Sequence, residues 1–375
     1  MNAANRLYVH IPFCRAKCRY CDFFSVAIRA EPVRRYIRCL CSELLRAARP
    51  DAFETIYIGG GTPTALGPRT LMHLLDSLQS IVDLPSAAEF TVEANPGTLV
   101  LEKLRSLRRA GVNRLSVGVQ SFDSRVLRLL GRIHSPQEAR QAVQLARRAG
   151  FTNVSIDLIY GVPGQSLEDW RGDVEAAIAL DVQHLSAYAL TYEEGTPLHA
   201  DLVQGRIDPA PQELECEMAL WTLDRLRRDG FVHYEISNYA RPGFECRHNL
   251  AYWANEPHLG IGAGAVSYLS GVRKKNVAQV QRYIECIERS ADPAEFCERL
   301  DPEARARETA ALALRTRRGL QRAAFRQQTG FDLDSLFGTS LVHFIRHGIL
   351  TDDGERVALT DRGILFADEV AAAIV

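Results

Sequence analysis

The sequence predicts an α/β fold, a partial (β/α)6 TIM-like barrel followed by a small winged-helix-like α+β domain. Three observations predict it. Short β-branched runs alternate with amphipathic helical stretches through the first half of the chain, polar or glycine-rich residues follow nearly every run at its C-terminal end, and the alternation stops after about residue 198. Six strand–helix units in succession imply a parallel sheet with helices outside it. They fall short of the eight units of a closed barrel.

The strands are expected at 7–11, 55–59, 89–94, 114–119, 153–159 and 184–190, and the helices at 34–48, 68–81, 99–110, 135–149 and 166–180. R-R-A-G and A-R-R-A-G place a glycine at the stop of two helices, at Gly111 and Gly150. The first strand runs into Cys14, the second into G-G-G-T-P-T (59–64), the third into Glu93 and Asn95. The fourth ends at Gln120 and Ser121, the fifth near Asp157 and Tyr160, and the sixth leads to T-Y-E-E-G-T-P (191–197). Parallel sheets and barrels bind ligands at this edge, so one large site is expected there.

Beyond the repeat, 211–229 reads as a helix, 233–253 is dense in aromatics and histidine, and G-I-G-A-G-A-V-S-Y (260–268) suits close backbone approach to a ligand. From about 303, two helical stretches lead to a hairpin at D-D-G and a last helix. The expected division is 1–200 as barrel core, 201–300 as its extension and 301–375 as the winged-helix-like domain. That domain lacks a strong basic excess, so a protein contact or a lid is expected of it rather than DNA binding.

Composition is that of a soluble globular chain, with 46% hydrophobic and 24% charged residues and a formal net charge of -1. Nothing in this balance calls for nucleic acid or an anionic membrane surface. There is no apolar run long enough to span a bilayer and no signal-peptide layout at the start, so a cytoplasmic protein is expected. Of the nine cysteines, three crowd into Y-V-H-I-P-F-C-R-A-K-C-R-Y-C (8–21). That spacing points to reduced thiols that bind metal. The other six are scattered and suit small buried side chains.

Thiolates favour zinc or iron–sulfur clusters. Structural zinc wants four protein ligands. His10 offers a fourth, but it lies in the predicted first strand, and no second C-x-x-C occurs. The alternative is a 4Fe–4S cluster on Cys14, Cys18 and Cys21, which leaves one iron open to a small chelating molecule.

Cys14-x3-Cys18-x2-Cys21, with Tyr20 before the last cysteine, resembles the motif of the radical S-adenosylmethionine superfamily. V-E-A-N-P, S-V-G-V-Q-S-F, I-D-L-I-Y-G-V-P-G-Q and L-T-Y-E-E-G-T-P resemble one branch, that of oxygen-independent coproporphyrinogen III oxidase and the HemW haem chaperones. The resemblance runs from about residue 7 to the end. It implies a 4Fe–4S cluster, S-adenosylmethionine (SAM) and haem as cofactors. It places Tyr8, Tyr20, Gly60, Gly61, Thr62 and Glu93 at the SAM site. Gln120, Arg132 and Asp157 match positions that contact a second SAM in the oxidase, and Thr191 and Val266 fall at further contact positions.

Two departures separate this chain from the oxidase pattern. Phe23 stands where the oxidase has a fourth cysteine, and only seven residues precede Tyr8. His248, Asn249, Tyr252 and Trp253 match H-N-x-x-Y-W, the haem-binding motif of the chaperones. A neutral imidazole is an axial ligand to haem iron, and flat aromatics pack on a porphyrin face. Cys246 is a second candidate ligand, and a loop histidine beside core aromatics is the plain structural alternative. The resemblance implies a haem chaperone that hands haem to acceptor haemoproteins, respiratory enzymes at the membrane among them, and that pairs with a second copy. The alternatives are a radical SAM oxidase or methyltransferase acting on a porphyrin-like substrate, or a zinc-stabilised regulator.

Overall fold

A computed structural model describes residues 5–28, 33–47, 53–84 and 87–375. The chain forms two compact units, residues 1–211 with 257–298 and residues 212–256 with 299–375. Among the described residues no helix is long and apolar enough to cross a membrane.

The first unit is built on β1 (Arg6–Ile11), β2 (Thr55–Gly60), β3 (Glu89–Ala94), β4 (Arg114–Gln120), β5 (Val154–Tyr160), β6 (His184–Ala189) and β7 (Leu259–Ile261). Within this unit the order is β7-β1-β2-β3-β4-β5-β6, and every neighbouring pair is parallel. The connecting helices are α1 (Val33–Ala47), α2 (Pro68–Gln79), α3 (Leu101–Arg109), α4 (Ser124–Leu129), α5 (Pro136–Arg148), α6 (Leu167–Ala179) and α7 (Pro197–Val203). Capping boxes start two of them, Ser135 with Glu138 on α5 and Ser166 with Asp169 on α6. The glycines expected at helix stops take positive φ, 93° at Gly111 and 90° at Gly150.

Side chains alternate across a strand, so each strand presents two different faces. Leu7, Val9 and Ile11 of β1, Ile56 and Ile58 of β2, and Phe90 and Val92 of β3 are buried on one face. Leu115, Val117, Ile156, Leu158 and Leu185 continue it across β4, β5 and β6. Each such side chain contributes roughly 1.5–3 kcal/mol by leaving water. The alternate positions carry Tyr8, His10, Tyr57, Thr91, Glu93, Ser116, Asp157 and Ser186. The register lines them up, Tyr8 beside Tyr57, Glu93 beside Ser116 and Asp157 beside Ser186. This polar face is where the site is built.

The middle segment, expected as one extension over 201–300, divides between the units. Leu259–Ile261 pairs in parallel with β1, while Asn255 donates to Glu308 and Thr309 of the helix Pro302–Leu314. In the run 260–268, Gly262 has φ of 103°, and a Cβ there would stand 2.7 Å from the His10 carbonyl oxygen and from the Tyr36 hydroxyl. Its backbone makes a close approach to β1 and α1.

The second unit holds the helices Gln212–Arg228 and Arg247–Trp253, the antiparallel pair Val232–Glu235 with Asn238–Ala240, and the C-terminal domain. Three helices, Pro302–Leu314, Arg322–Thr329 and Leu333–Arg346, precede its hairpin, where the sequence suggested two. A three-stranded antiparallel sheet follows from Leu320–Gln321, Leu350–Asp352 and Arg356–Leu359. Leu314, Phe325, Phe337, Leu341, Val357, Leu359 and Val370 form its core. This is the winged-helix-like arrangement, with the last helix at Ala367–Ile374.

Candidate functional site

The cysteine loop leaves β1 through a sharp change of direction. Val26 N donates to Pro12 O at 2.7 Å, and Phe13 and Cys14 pair with Val26 and Ala27 in a short parallel ladder. Cys14, Cys18 and Cys21 are all free thiols and partly exposed. Burial pushes the Cys14 thiol up and the Cys21 thiol up to about 11. Burial thus disfavours the charged thiolate of each.

The loop is fastened at Arg19, a residue the sequence reading did not single out. Its backbone N donates to Leu130 O at 3.0 Å, and its carbonyl accepts from Leu198 N at 2.9 Å. Its guanidinium donates to Leu129 O at 3.2 Å and pairs with Asp201, which also holds Arg206. Gly131 permits this contact, since a Cβ there would sit 2.8 Å from Arg19 Cγ. Tyr20, beside it, packs against a buried cluster of Val126, Leu130, Ile159, Val162, Leu190 and Leu198. Phe23 is 66% exposed.

At the end of β2, Gly60 has φ of 109°, and a Cβ there would lie 2.5 Å from His10 Cε1. Gly61 N donates to Ile11 O at 2.9 Å, so this turn lies directly on the start of the cysteine loop. Thr62 N donates to Phe13 O at 3.0 Å, and Thr62 Oγ1 lies 3.5 Å from Cys14 Sγ. The Glu93 carboxylate accepts from Tyr57 OH at 2.8 Å and from Gly60 N at 3.0 Å. Burial raises its pKa to about 7, against these two hydrogen bonds.

Asp157 sits one strand pair further along. Ser186 Oγ donates to it at 2.8 Å and Ser116 Oγ at 3.3 Å. Burial holds its pKa above the usual carboxylate range, opposed by these serines and by Arg114 and Arg132. At the tip of β4 the register shifts between Gly118 and Gln120, and Gln120 takes φ of 69°. A non-glycine residue in that region costs about 1–3 kcal/mol and is held there by its surroundings. Arg132 reaches back from the loop after α4. Its Nη1 donates to Cys18 Sγ at 3.2 Å and its Nη2 to Asn95 Oδ1 at 2.5 Å. A cavity opens here beside Cys18, lined also by Arg15, Thr62 and His134.

His10 is not a fourth metal ligand in this arrangement. Its Nε2 lies 2.9 Å from Phe24 O, a pure acceptor, so Nε2 carries the proton. Nδ1 then accepts from Tyr8 OH at 3.1 Å. Burial keeps the ring neutral by lowering its pKa. Among the described residues no group of three His, Cys, Asp or Glu side chains converges as a single metal ion requires. Three thiolates that each take a different iron do not need to converge on one point.

The remaining expected residues are placed as follows. Thr191 is exposed just beyond β6. Val266 opens the strand Val266–Leu269 and pairs with Lys275 in a small antiparallel sheet. In the second unit, His248 and Tyr252 share one face of the helix Arg247–Trp253, and Asn249 is partly exposed between them. His248 is 1% exposed, and its Nε2 lies 2.9 Å from Tyr252 OH. Arg315 stacks over the Trp253 ring at 5.2 Å. Cys246, the other candidate ligand, is fully buried, as His248 is.

A parallel β/α sheet whose first strand feeds a C-x3-C-x2-C loop defines the radical SAM class of protein. The radical SAM superfamily model matches residues 8–177, and the HemN C-terminal domain model matches residues 300–366. The chain is 39% identical over 372 residues to the Bacillus subtilis protein named "Heme chaperone HemW", covering 98% of both. It is 43% identical over 268 residues to the Escherichia coli protein of the same name, covering 69% of this chain and 68% of that one. The solved structure of the coproporphyrinogen III oxidase HemN from Escherichia coli superposes with a TM-score of 0.85, at 23% identity, over 98% of this chain and 89% of that one. That likeness establishes the fold. The chain belongs to the HemW family.

The residues present fit the cluster that this class implies. Three reduced thiols share one loop, and the guanidinium of Arg132 rests on one sulfur. They fit SAM as well, with a glycine turn after β2, a part-buried carboxylate at Glu93 and an aromatic at Tyr8 on the same polar face.

Proposed function

We propose that this chain is a haem chaperone that binds a 4Fe–4S cluster through Cys14, Cys18 and Cys21, binds SAM, and carries haem to acceptor haemoproteins. The observation that carries the haem assignment is the single face shared by His248 and Tyr252 on the helix Arg247–Trp253, in a chain of this family. The imidazole supplies the axial ligand. Tyr252 and Trp253 supply flat apolar surface for the porphyrin.

A bound cluster would supply single electrons, and the role of the chain is to hold and shield it. Cys14, Cys18 and Cys21 bind it on a loop fastened through Arg19. The carbonyls of the 59–62 turn and the Glu93 carboxylate would accept hydrogen bonds from the ammonium of SAM. Tyr8 packs against the adenosyl end, Gln120, Arg132 and Asp157 extend the same polar face, and Thr191 and Val266 line its rim. The acceptors are haemoproteins such as respiratory enzymes at the membrane, reached from the cytoplasm. The working form is a homodimer.

Haem titration of the purified protein tests this reading. A Soret shift is expected, weakened in His248→Ala. An unchanged shift in that variant removes the axial role of His248. Anaerobic reconstitution is expected to give about four irons per chain. Robust turnover of coproporphyrinogen III would overturn the chaperone assignment, and the exposed Phe23 in place of a fourth thiol argues against it.

A further inference from the structure

Cys14 and Cys18 are joined by a chain of polar groups that crosses three strand ends. Asn95 sits in the middle. Its Nδ2 donates to Thr62 Oγ1 at 2.7 Å, and its Oδ1 accepts from Arg132 Nη2 at 2.5 Å. At one end Thr62 Oγ1 lies 3.5 Å from Cys14 Sγ, and at the other Arg132 Nη1 donates to Cys18 Sγ at 3.2 Å. Arg132 Nη2 also donates to the carbonyl of Gly118. A Cβ on Gly118 would stand 3.1 Å from Asn95 Oδ1, so the glycine leaves room for the crossing.

The direction of every bond in this chain follows from chemistry. An amide nitrogen only donates, so Thr62 Oγ1 is the acceptor toward Asn95. The hydroxyl proton of Thr62 is then left for the sulfur of Cys14. A guanidinium only donates, so Arg132 gives a proton to Asn95 Oδ1 and another to Cys18. Turning the Asn95 amide over would set its NH2 against Arg132, donor against donor. Both ends therefore deliver donors to sulfur, and that polarity suits sulfurs that carry negative charge. Thr62 is 2% exposed, so water competes little for these bonds.

On the reading that Cys14, Cys18 and Cys21 hold a cluster, we propose that Thr62, Asn95 and Arg132 form a positioning network that donates hydrogen bonds to two of its three thiolates and raises its reduction potential. An added electron increases the negative charge on the sulfurs, and donors aimed at them stabilise that state. None of the three residues ligates iron. Asn95 is the pivot, because its orientation decides where the Thr62 proton points.

The test uses the full chain, reconstituted anaerobically and titrated with dithionite in the presence of redox dyes, with the reduced cluster followed by electron paramagnetic resonance. Thr62→Val is expected to lower the midpoint, so that the reduced-to-oxidised ratio at a fixed potential falls about tenfold, about 59 mV for one electron. Thr62→Ser is expected to restore it. Asn95→Asp gives a second route, because a carboxylate accepts from both Thr62 and Arg132 and turns the Thr62 proton away from Cys14. It too is expected to lower the midpoint, and it decides the matter where Thr62→Val loads iron poorly. Unchanged midpoints at full iron content overturn this proposal alone. A wild-type chain that takes up no iron overturns the cluster reading and this proposal with it.

Discussion

His248 Nε2 and the hydroxyl oxygen of Tyr252 lie 2.9 Å apart, one turn from each other on the helix Arg247–Trp253. Their rings meet edge to face with centroids 4.8 Å apart. An iron bound at Nε2 has to displace this hydrogen bond. Tyr252→Phe removes the hydroxyl and keeps the ring, so haem is expected to bind about fivefold tighter for a bond worth about 1 kcal/mol. Soret titration of the two proteins reads this directly, and weaker binding by the variant would rule out displacement of that bond.

Glu93 gives the stability of the chain a pH dependence. Its folded pKa of about 7 lies above the ordinary value of 4.5 because burial disfavours the charged form. Between those values the native state holds a proton that the unfolded state has lost. Stability from this group is full below the ordinary value and declines as pH rises through the folded one. Glu93→Gln does not titrate. The melting temperature of the variant, relative to wild type, is expected to rise from about pH 5 to about pH 7 and then to level off. A difference that stays flat across this range would show that Glu93 is charged in the native protein.

Arg19 ties the cysteine loop to the segments around Leu130 and Leu198. Arg19→Met keeps much of the apolar stem but loses the bonds to Leu129 O and to Asp201. We expect a modest loss of global stability, about 1–3 kcal/mol, because the buried Asp201 is left with Arg206 alone. The larger effect is on the loop. Iron is expected to leave the reconstituted variant several-fold faster under a chelator, while Asp201→Asn moves in the same direction by less. Equal rates would remove the anchoring role.

The regular half of the chain was legible at the level of single residues. The strand expected at 55–59 is Thr55–Gly60, and that expected at 89–94 is Glu89–Ala94. Local pattern suffices there, because β-branched runs and glycine stops act over a few residues. The cysteine loop was legible for the same reason. The anchor at Arg19 was not, since residues 19, 130, 198 and 201 are distant in sequence and meet only through the sheet. Gly262 was legible only in part for a related reason. A glycine-rich run announces close approach without naming what approaches, and here it is the His10 carbonyl. The motif at His248–Trp253 was legible as a motif, but its internal bond between His248 and Tyr252 depends on helical phase.

The two faces of the barrel strands also bear on how a chain of this kind diverges. Leu7, Val9, Ile56, Ile58, Phe90 and Val92 are buried in the core, whereas Tyr8, Tyr57 and Glu93, one position away, lie on the opposite, polar face. Replacing a residue of the second set leaves the packing of the first untouched. The scaffold can thus drift toward a new task one strand position at a time, without passing through an unfolded ancestor. This chain and the Escherichia coli oxidase HemN keep one such scaffold at 23% identity.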